Sequence, residues 1–489
     1  MNLFRLERGV TMKKNTAYYI HSAIVLALMF GFGFLPPFGQ ITEMGMRVLG
    51  VFAGMLWGWI FIEVTWPSIL GMIAFGLTGF MTVPQVFAAG FGNTNVLTVL
   101  MAFLFTALLE SCKITDYIAA KFLSSKAIIG KPWLLITMIF LADYVISILS
   151  SNLAATFLLW AMFIKVAEMV GYEKGDKLVS FVICGIVYIG VCAAMVLPFR
   201  TAAIVFVGFL TNGTGLTVEY IPYTVYMLIT SMVVLFMLLF IGKYILRLDV
   251  SKLADDEDRF AYMRGKKATY EQKIGLCFIA VFLLTLFLPS FMPKEWMITQ
   301  VLSNWGLVGV VGVLLVVATL IRSKEGQSFI SIEAVCSKGI GWELIWLLVA
   351  TFPLADAMKS QDCGIIATVV AAITPYLQNM QPTVFMILCM VILGITTQFV
   401  HNIVLAAMFI PLMTTLCAEM GGNPITMFFV CYWALQAAFS TPGASMQGAM
   451  MHGHAWVGNK DGYLFGAIYL FMTFVVMIVI GIPLGSLLF

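Results

Sequence analysis

Apolar runs of roughly 20 residues, the length needed to cross a bilayer, alternate with short polar turns along almost the whole chain. They predict helices over 18–36, 46–64, 67–82, 95–111, 221–246, 272–290, 303–321, 342–358 and 463–488. Four further runs are interrupted in the middle. The run 132–168 carries Asp143 and Ser151-Asn152, and 178–212 is broken at Pro198-Phe199-Arg200. The run 382–415 contains His401-Asn402, and 424–455 is broken at Ser440-Thr441-Pro442-Gly443. In hydrocarbon every backbone group is satisfied internally, so irregular chain is tolerated only beside protein or a water-filled cavity. The interruptions therefore mark an internal site.

The interruptions recur at a near-constant distance. The two Asn residues are 402 − 152 = 250 apart, and each follows a hydroxyl by five residues (Ser147, Thr397). Glu110-Ser111 matches Lys359-Ser360 at 249, and Pro198 matches Pro442 at 244. This spacing predicts an internal duplication, with a first copy over 18–247 and a second over 274–489. Lys and Arg placement sets orientation. The basic N-terminus, 1–17, and the long polar linker, 248–273, are both expected in the cytoplasm, so an even number of crossings separates them. Treating 132–168 as a re-entrant hairpin satisfies that count. A second hairpin over 382–415 then enters from the opposite side, the repeat is inverted, and the C-terminus is extracytoplasmic.

Composition narrows the class. Of 489 residues, 61% are hydrophobic and 10% charged, against a usual ~25% charged in soluble domains. The fold class expected is an all-α polytopic membrane protein of about eleven transmembrane helices plus two re-entrant hairpins. A β-barrel would show short alternating segments instead. The net charge of +3 gives no reason to expect a nucleic-acid partner. Nine Cys without paired spacing read as buried, reduced packing residues. The run 18–36 lacks a cleavage site and reads as a retained first span, and Met12 offers a second plausible start. His452 and His454 have no Cys or carboxylate beside them, so no metal site is expected. No P-loop, nucleotide fingerprint or HExxH occurs, which disfavours ATP-driven transport and intramembrane proteolysis, and no catalytic pair points to an enzyme.

A chain that turns back at midplane leaves backbone groups unpaired at half-helix ends. Ser150, Ser151 and Asn152 can satisfy those groups, hold a ligand, or glue helices together. Half-helix N-termini favour carboxylates, and unwound carbonyls suit Na⁺. After the breaks come small or hydroxylated residues: Thr201, Ala202 and Ala203, then Gly443, Ala444 and Ser445. Arg200 is a charge at membrane depth, costly unless paired or functional. It can hold a substrate carboxylate, pair with Asp143, or stand in for a bound cation. His401 can bind the anion, couple protons, or pack against backbone.

The words SSNLAAT and HNIVLAA, each followed by a Pro-broken helix (LPFRTAA, STPGAS), together with NTNVLTVLMAFLFTALLESCKITDYIA, resemble the divalent-anion/sodium symporter family of the ion-transporter superfamily. The resemblance covers about 18–488. It implies a homodimeric secondary transporter of di- or tricarboxylates that works by an elevator motion, with scaffold and transport domains, in a membrane such as the bacterial inner membrane. It implies substrate contacts at Ser151, Asn152, His401 and Asn402, and Arg200, Thr201, Pro442 and Ala444 of the broken helices are expected to join them. It implies one cation site at Ser147, Ser150, Asn152 and Pro198, and a second at Thr397, Asn402 and Thr441, with Na⁺ as coupling ion and no other cofactor. The family's Ser-Asn-Thr signature is altered here to Ser151-Asn152-Leu153 and His401-Asn402-Ile403, and Arg200 adds a charge. These departures favour exchange or proton coupling. A sodium symporter, an inorganic-anion carrier and the large subunit of a tripartite carrier are the alternatives.

Overall fold

The computed structural model describes residues 16–254, 260–322, 329–365, 367–369, 371–372, 380–458 and 460–489. The expected cytoplasmic N-terminus therefore lies, over residues 1–15, outside the described residues, as do 255–259 of the linker. The regular elements are helical. Eleven helices among the described residues are long and apolar enough to cross a membrane, and Thr65–Gly76, Thr201–Thr214, Pro382–Thr396 and Pro424–Gln436 are shorter apolar helices.

Two compact units divide the chain. One comprises 1–91 and 346–372, the other 92–345 and 373–489. The first unit thus draws helices from both sequence repeats. In it, the run expected over 67–82 is helical only over Thr65–Gly76. Thr78 Oγ donates to the Phe75 carbonyl at 2.7 Å and Gly79 takes φ +95°, a left-handed turn that ends the helix. A separate helix, Val83–Phe91, follows.

The second unit contains both hairpins and both interrupted helices. Hairpin 1 has an entering arm 1a, Pro132–Leu149, and a leaving arm 1b, Asn152–Met169. Hairpin 2 has arm 2a, Pro382–Thr396, and arm 2b, Asn402–Glu419. Pro at the first turn starts both entering arms, where its missing N–H costs nothing. Broken helix 1 comprises Lys177–Ala194 and Thr201–Thr214, and broken helix 2 comprises Pro424–Gln436 and Met446–Gly453.

The two repeats interlock inside this unit. Gly213 of broken helix 1 lies against Pro411 of arm 2b, where a Cβ would meet the proline ring at 2.5 Å. Tyr188 stacks on Tyr469 with centroids 4.2 Å apart and hydrogen-bonds Thr473 at 2.9 Å. Tyr226 stacks on Phe429 at 4.2 Å. All of these aromatic rings are buried.

The nine Cys are all free. Seven are buried as expected, but Cys336 is half-buried and Cys277 is exposed on Tyr270–Phe287. An apolar helix wall facing lipid exposes such side chains at no hydrophobic cost.

Candidate functional site

The two hairpin turns are short because a polar side chain caps each leaving arm. Ser151 Oγ accepts from the Ala154 amide at 3.3 Å, and His401 Nδ1 accepts from the Ile403 amide at 3.3 Å. The cap satisfies an N–H that the turn would leave unpaired. His401 therefore holds the place of Ser151 in structure as well as in register, and its Nδ1 is engaged with backbone.

Asn152 and Asn402 are the first residues of the arms so capped, and both line one cavity of about 60 Å³. Val191 and Ala194 end the first half of broken helix 1, and Ala202 begins its second half. Gln436, Phe439, Ser445 and Gln447 complete the lining from broken helix 2. Asn402 Nδ2 donates to Gln436 Oε1 at 2.8 Å. Four helix starts (Asn152, Thr201, Asn402 and Met446) converge on this cavity. Each carries a partial positive charge from unpaired amides and the aligned peptide dipoles. A serine also caps the fourth start, where Ser445 Oγ accepts from the Gly448 amide at 2.9 Å and donates to the Ala438 carbonyl at 2.7 Å. The start at Thr201 has no side-chain cap.

Arg200 occupies the residue before that uncapped start. It lines a second, smaller cavity with Ile148 and Leu149 of the first hairpin tip and Thr106, Phe199 and Phe282. Its Nε is buried without a partner. No ion pair joins it to Asp143, so that reading of the charge is not realised. Thr201 adjoins the polar cavity beside Ala202. Pro198 lies in the break between Ala194 and Thr201, whose Met195 carbonyl accepts from Tyr223 Oη at 2.9 Å.

The two expected cation sites differ. At the first, Ser147 and Ser150 are fully buried; Ser147 Oγ donates to Asp143 Oδ1 at 3.4 Å, and Ser150 Oγ has no partner. At the second, Thr397 Oγ donates to the Leu435 carbonyl at 3.2 Å and Thr441 Oγ donates to the Gln398 carbonyl. Gln398 ties the rest together. Its Nε2 donates to Ala437 at 2.9 Å and Gly394 at 2.7 Å, and its Oε1 accepts from the Ser440 amide at 2.8 Å. Pro442 and Ala444 lie in the same break, with the Ala444 amide donating to the Thr441 carbonyl at 3.2 Å.

Gln398, Gln436 and Gln447 were not anticipated from sequence. Each is an amide in an otherwise apolar run close to an interruption, the signal that flagged the Asn residues, but none recurs in the first repeat.

The family described as citrate transporter, CitMHS, matches residues 52–430. A solved structure, the crystal structure of the YdaH transporter from Alcanivorax borkumensis, is similar in fold at 14% identity, with a TM-score of 0.53 over 83% of this chain and 87% of that one. No curated protein matches the chain. The chain is thus a multi-pass membrane transporter, not an enzyme, and it belongs to the citrate transporter family, part of the ion-transporter superfamily.

Proposed function

We propose that the protein is a secondary active carrier of small organic anions, of the di- or tricarboxylate class, and that the cavity at Asn152 and Asn402 is its substrate site. The observation that carries this reading is the convergence of four helix starts on that cavity, an arrangement whose field favours anions. Asn152 and Asn402 offer side-chain amides to carboxylate oxygens, and the uncapped amides at Thr201 and Ala202 offer two more donors. Arg200, unpaired beside the first hairpin tip, is a fixed positive charge that offsets part of the substrate's charge. A carrier so equipped needs fewer co-transported cations than one relying on two sodium sites.

The cavity measures about 60 Å³. Transport requires it to open to each side of the membrane in turn. We read that step as part of an elevator cycle, in which hairpins and broken helices travel as a transport domain against a scaffold of the remaining spans, in a homodimer with a cytoplasmic N-terminus and an extracytoplasmic C-terminus. The test is uptake of labelled citrate and succinate into proteoliposomes under a Na⁺ gradient, a proton gradient, or internal unlabelled acid. Saturable uptake of either acid is expected. Failure of both acids under all three conditions refutes the substrate assignment.

A further inference from the structure

The polar linker between the two repeats is fastened to a short helix, Ile114–Leu123, at both of that helix's ends. Arg264 Nε donates to the carbonyl of Ser124, its C-terminal cap, at 3.2 Å. Gln272 Nε2 donates to the carbonyl of Lys113, its N-terminal cap, at 3.1 Å. Thr269 and Gln272 also form a capping box that starts Tyr270–Phe287, so the linker enters that span at a fixed point. Between the linker and the short helix lies a cavity of about 480 Å³, walled on a third side by Leu158 and Met162 of arm 1b.

The walls of this cavity are of two kinds. Tyr117, Leu158, Met162 and Met263 present apolar surface, whereas Lys266 and Lys267 on the linker and Asp116 on the short helix are charged. Lys121 adds a third ammonium, its Nζ 5.7 Å from the centre of the Tyr117 ring, and Lys165 stands one turn beyond Met162 on arm 1b. Asp116 and, beside Gln272, Glu271 are the acids there among the described residues, so the balance is positive. Lys121 and Lys267 are exposed and form no ion pair among the described residues. Leu158 and Met162 lie within one apolar span, and Gln272 is in the first turn of another. The apolar wall therefore runs along a span, and the charged wall stands where a span meets polar chain. Phe157 and Tyr270, next to lining residues, expose their rings, as aromatic residues do at the headgroup level of a bilayer.

We propose that this cavity seats an anionic phospholipid of the leaflet that the linker faces, with the phosphate on Lys266 and Lys267 and the upper acyl chain along Leu158 and Met162. Lysines clustered at the end of a span attract anionic lipid. A soluble anion would use the same lysines but leave the apolar wall wet, whereas an acyl chain covers it. Asp116 would repel a bare phosphate, but it accepts a hydrogen bond from a headgroup hydroxyl, which suits a glycerol headgroup. The inference is independent of which acid the protein carries.

The experiment is thermal melting of the purified full-length protein in detergent micelles, titrated with phosphatidylglycerol, phosphatidylcholine or glycerol 3-phosphate. A ligand that binds only the folded state raises the melting temperature by mass action. Phosphatidylglycerol should give a saturable rise that weakens with added salt, and the other two should give much smaller ones. Lys266→Gln/Lys267→Gln, both exposed positions, should need roughly 30-fold more phosphatidylglycerol for the same rise, about fivefold for each lysine at an anionic surface. Lys174→Gln/Lys177→Gln removes two exposed lysines where arm 1b turns into broken helix 1, outside this cavity, and should respond as wild type does. A wild type that does not respond, a Lys266→Gln/Lys267→Gln protein with the wild-type response, or equal weakening in both variants overturns the proposal. An equal rise with phosphatidylcholine or with glycerol 3-phosphate also overturns it, because the ligand is then any lipid or a soluble anion.

Discussion

At the first hairpin tip a carboxylate and two hydroxyls share one hydrogen bond among them. At the second, one glutamine makes three, to Gly394, Ala437 and Ser440. The backbone plan is common to both: a proline-started entering arm, a capped leaving arm beginning with Asn, and a broken helix opposite. What differs is how the buried polar groups are satisfied. The second tip satisfies its own polar groups, whereas the first leaves Asp143 Oδ2 and Ser150 Oγ without a partner. The two frames match, and a few side chains give the two tips different surroundings.

The largest effect tests what the halves share. Asn152→Ala and Asn402→Ala should each lower substrate affinity, measured by uptake, by roughly 10- to 150-fold, the ~1.5–3 kcal/mol of a hydrogen bond to a charged group. An effect at only one position would break the symmetry of the substrate site. Next comes Gln398→Ala, which strands the Ala437 carbonyl and the Ser440 amide at ~1–3 kcal/mol each and should lower the melting temperature by several degrees. An unchanged melting temperature would mean that those backbone groups find other partners and that the bridge is not what holds the second tip. Arg200→Ala should weaken binding of dicarboxylates over monocarboxylates by about tenfold, ~1.4 kcal/mol, with little change in melting temperature because no ion pair is lost. The smallest effect belongs to the caps. Ser151→Ala and His401→Ala should each cost ~0.5–2 kcal/mol of stability and preserve uptake. Loss of uptake at unchanged stability in His401→Ala would make that ring a ligand and separate the two caps.

Much of this was legible in the chain because membrane depth forbids idle polarity. The run expected as a hairpin over 132–168 resolves into arms of 132–149 and 152–169, and the breaks fall at Pro198 and Pro442 as the interruptions predicted. The partners of the polar groups were hidden. That Asp143 faces Gly190 and not Arg200, or that Gln398 reaches the broken helix 39 residues later at Ala437, depends on which helix faces meet, and periodicity within one helix does not encode that. The end of the third helix at Gly76 was missed because a left-handed glycine in an apolar run leaves hydropathy unchanged. The packing units cross the two matched stretches of sequence, which spacing along the chain does not reveal.

The contact of Gly213 with Pro411, and the tyrosine stack of Tyr188 on Tyr469, have a mechanical consequence. Each joins a helix of the first matched half to a helix of the second, so the two halves are held to one another inside this unit. Asn152 and Asn402, which line one cavity, sit in the body that these contacts tie together. Prising the matched halves apart would cost these buried contacts, so separation along the boundary between them is the expensive way for this unit to move.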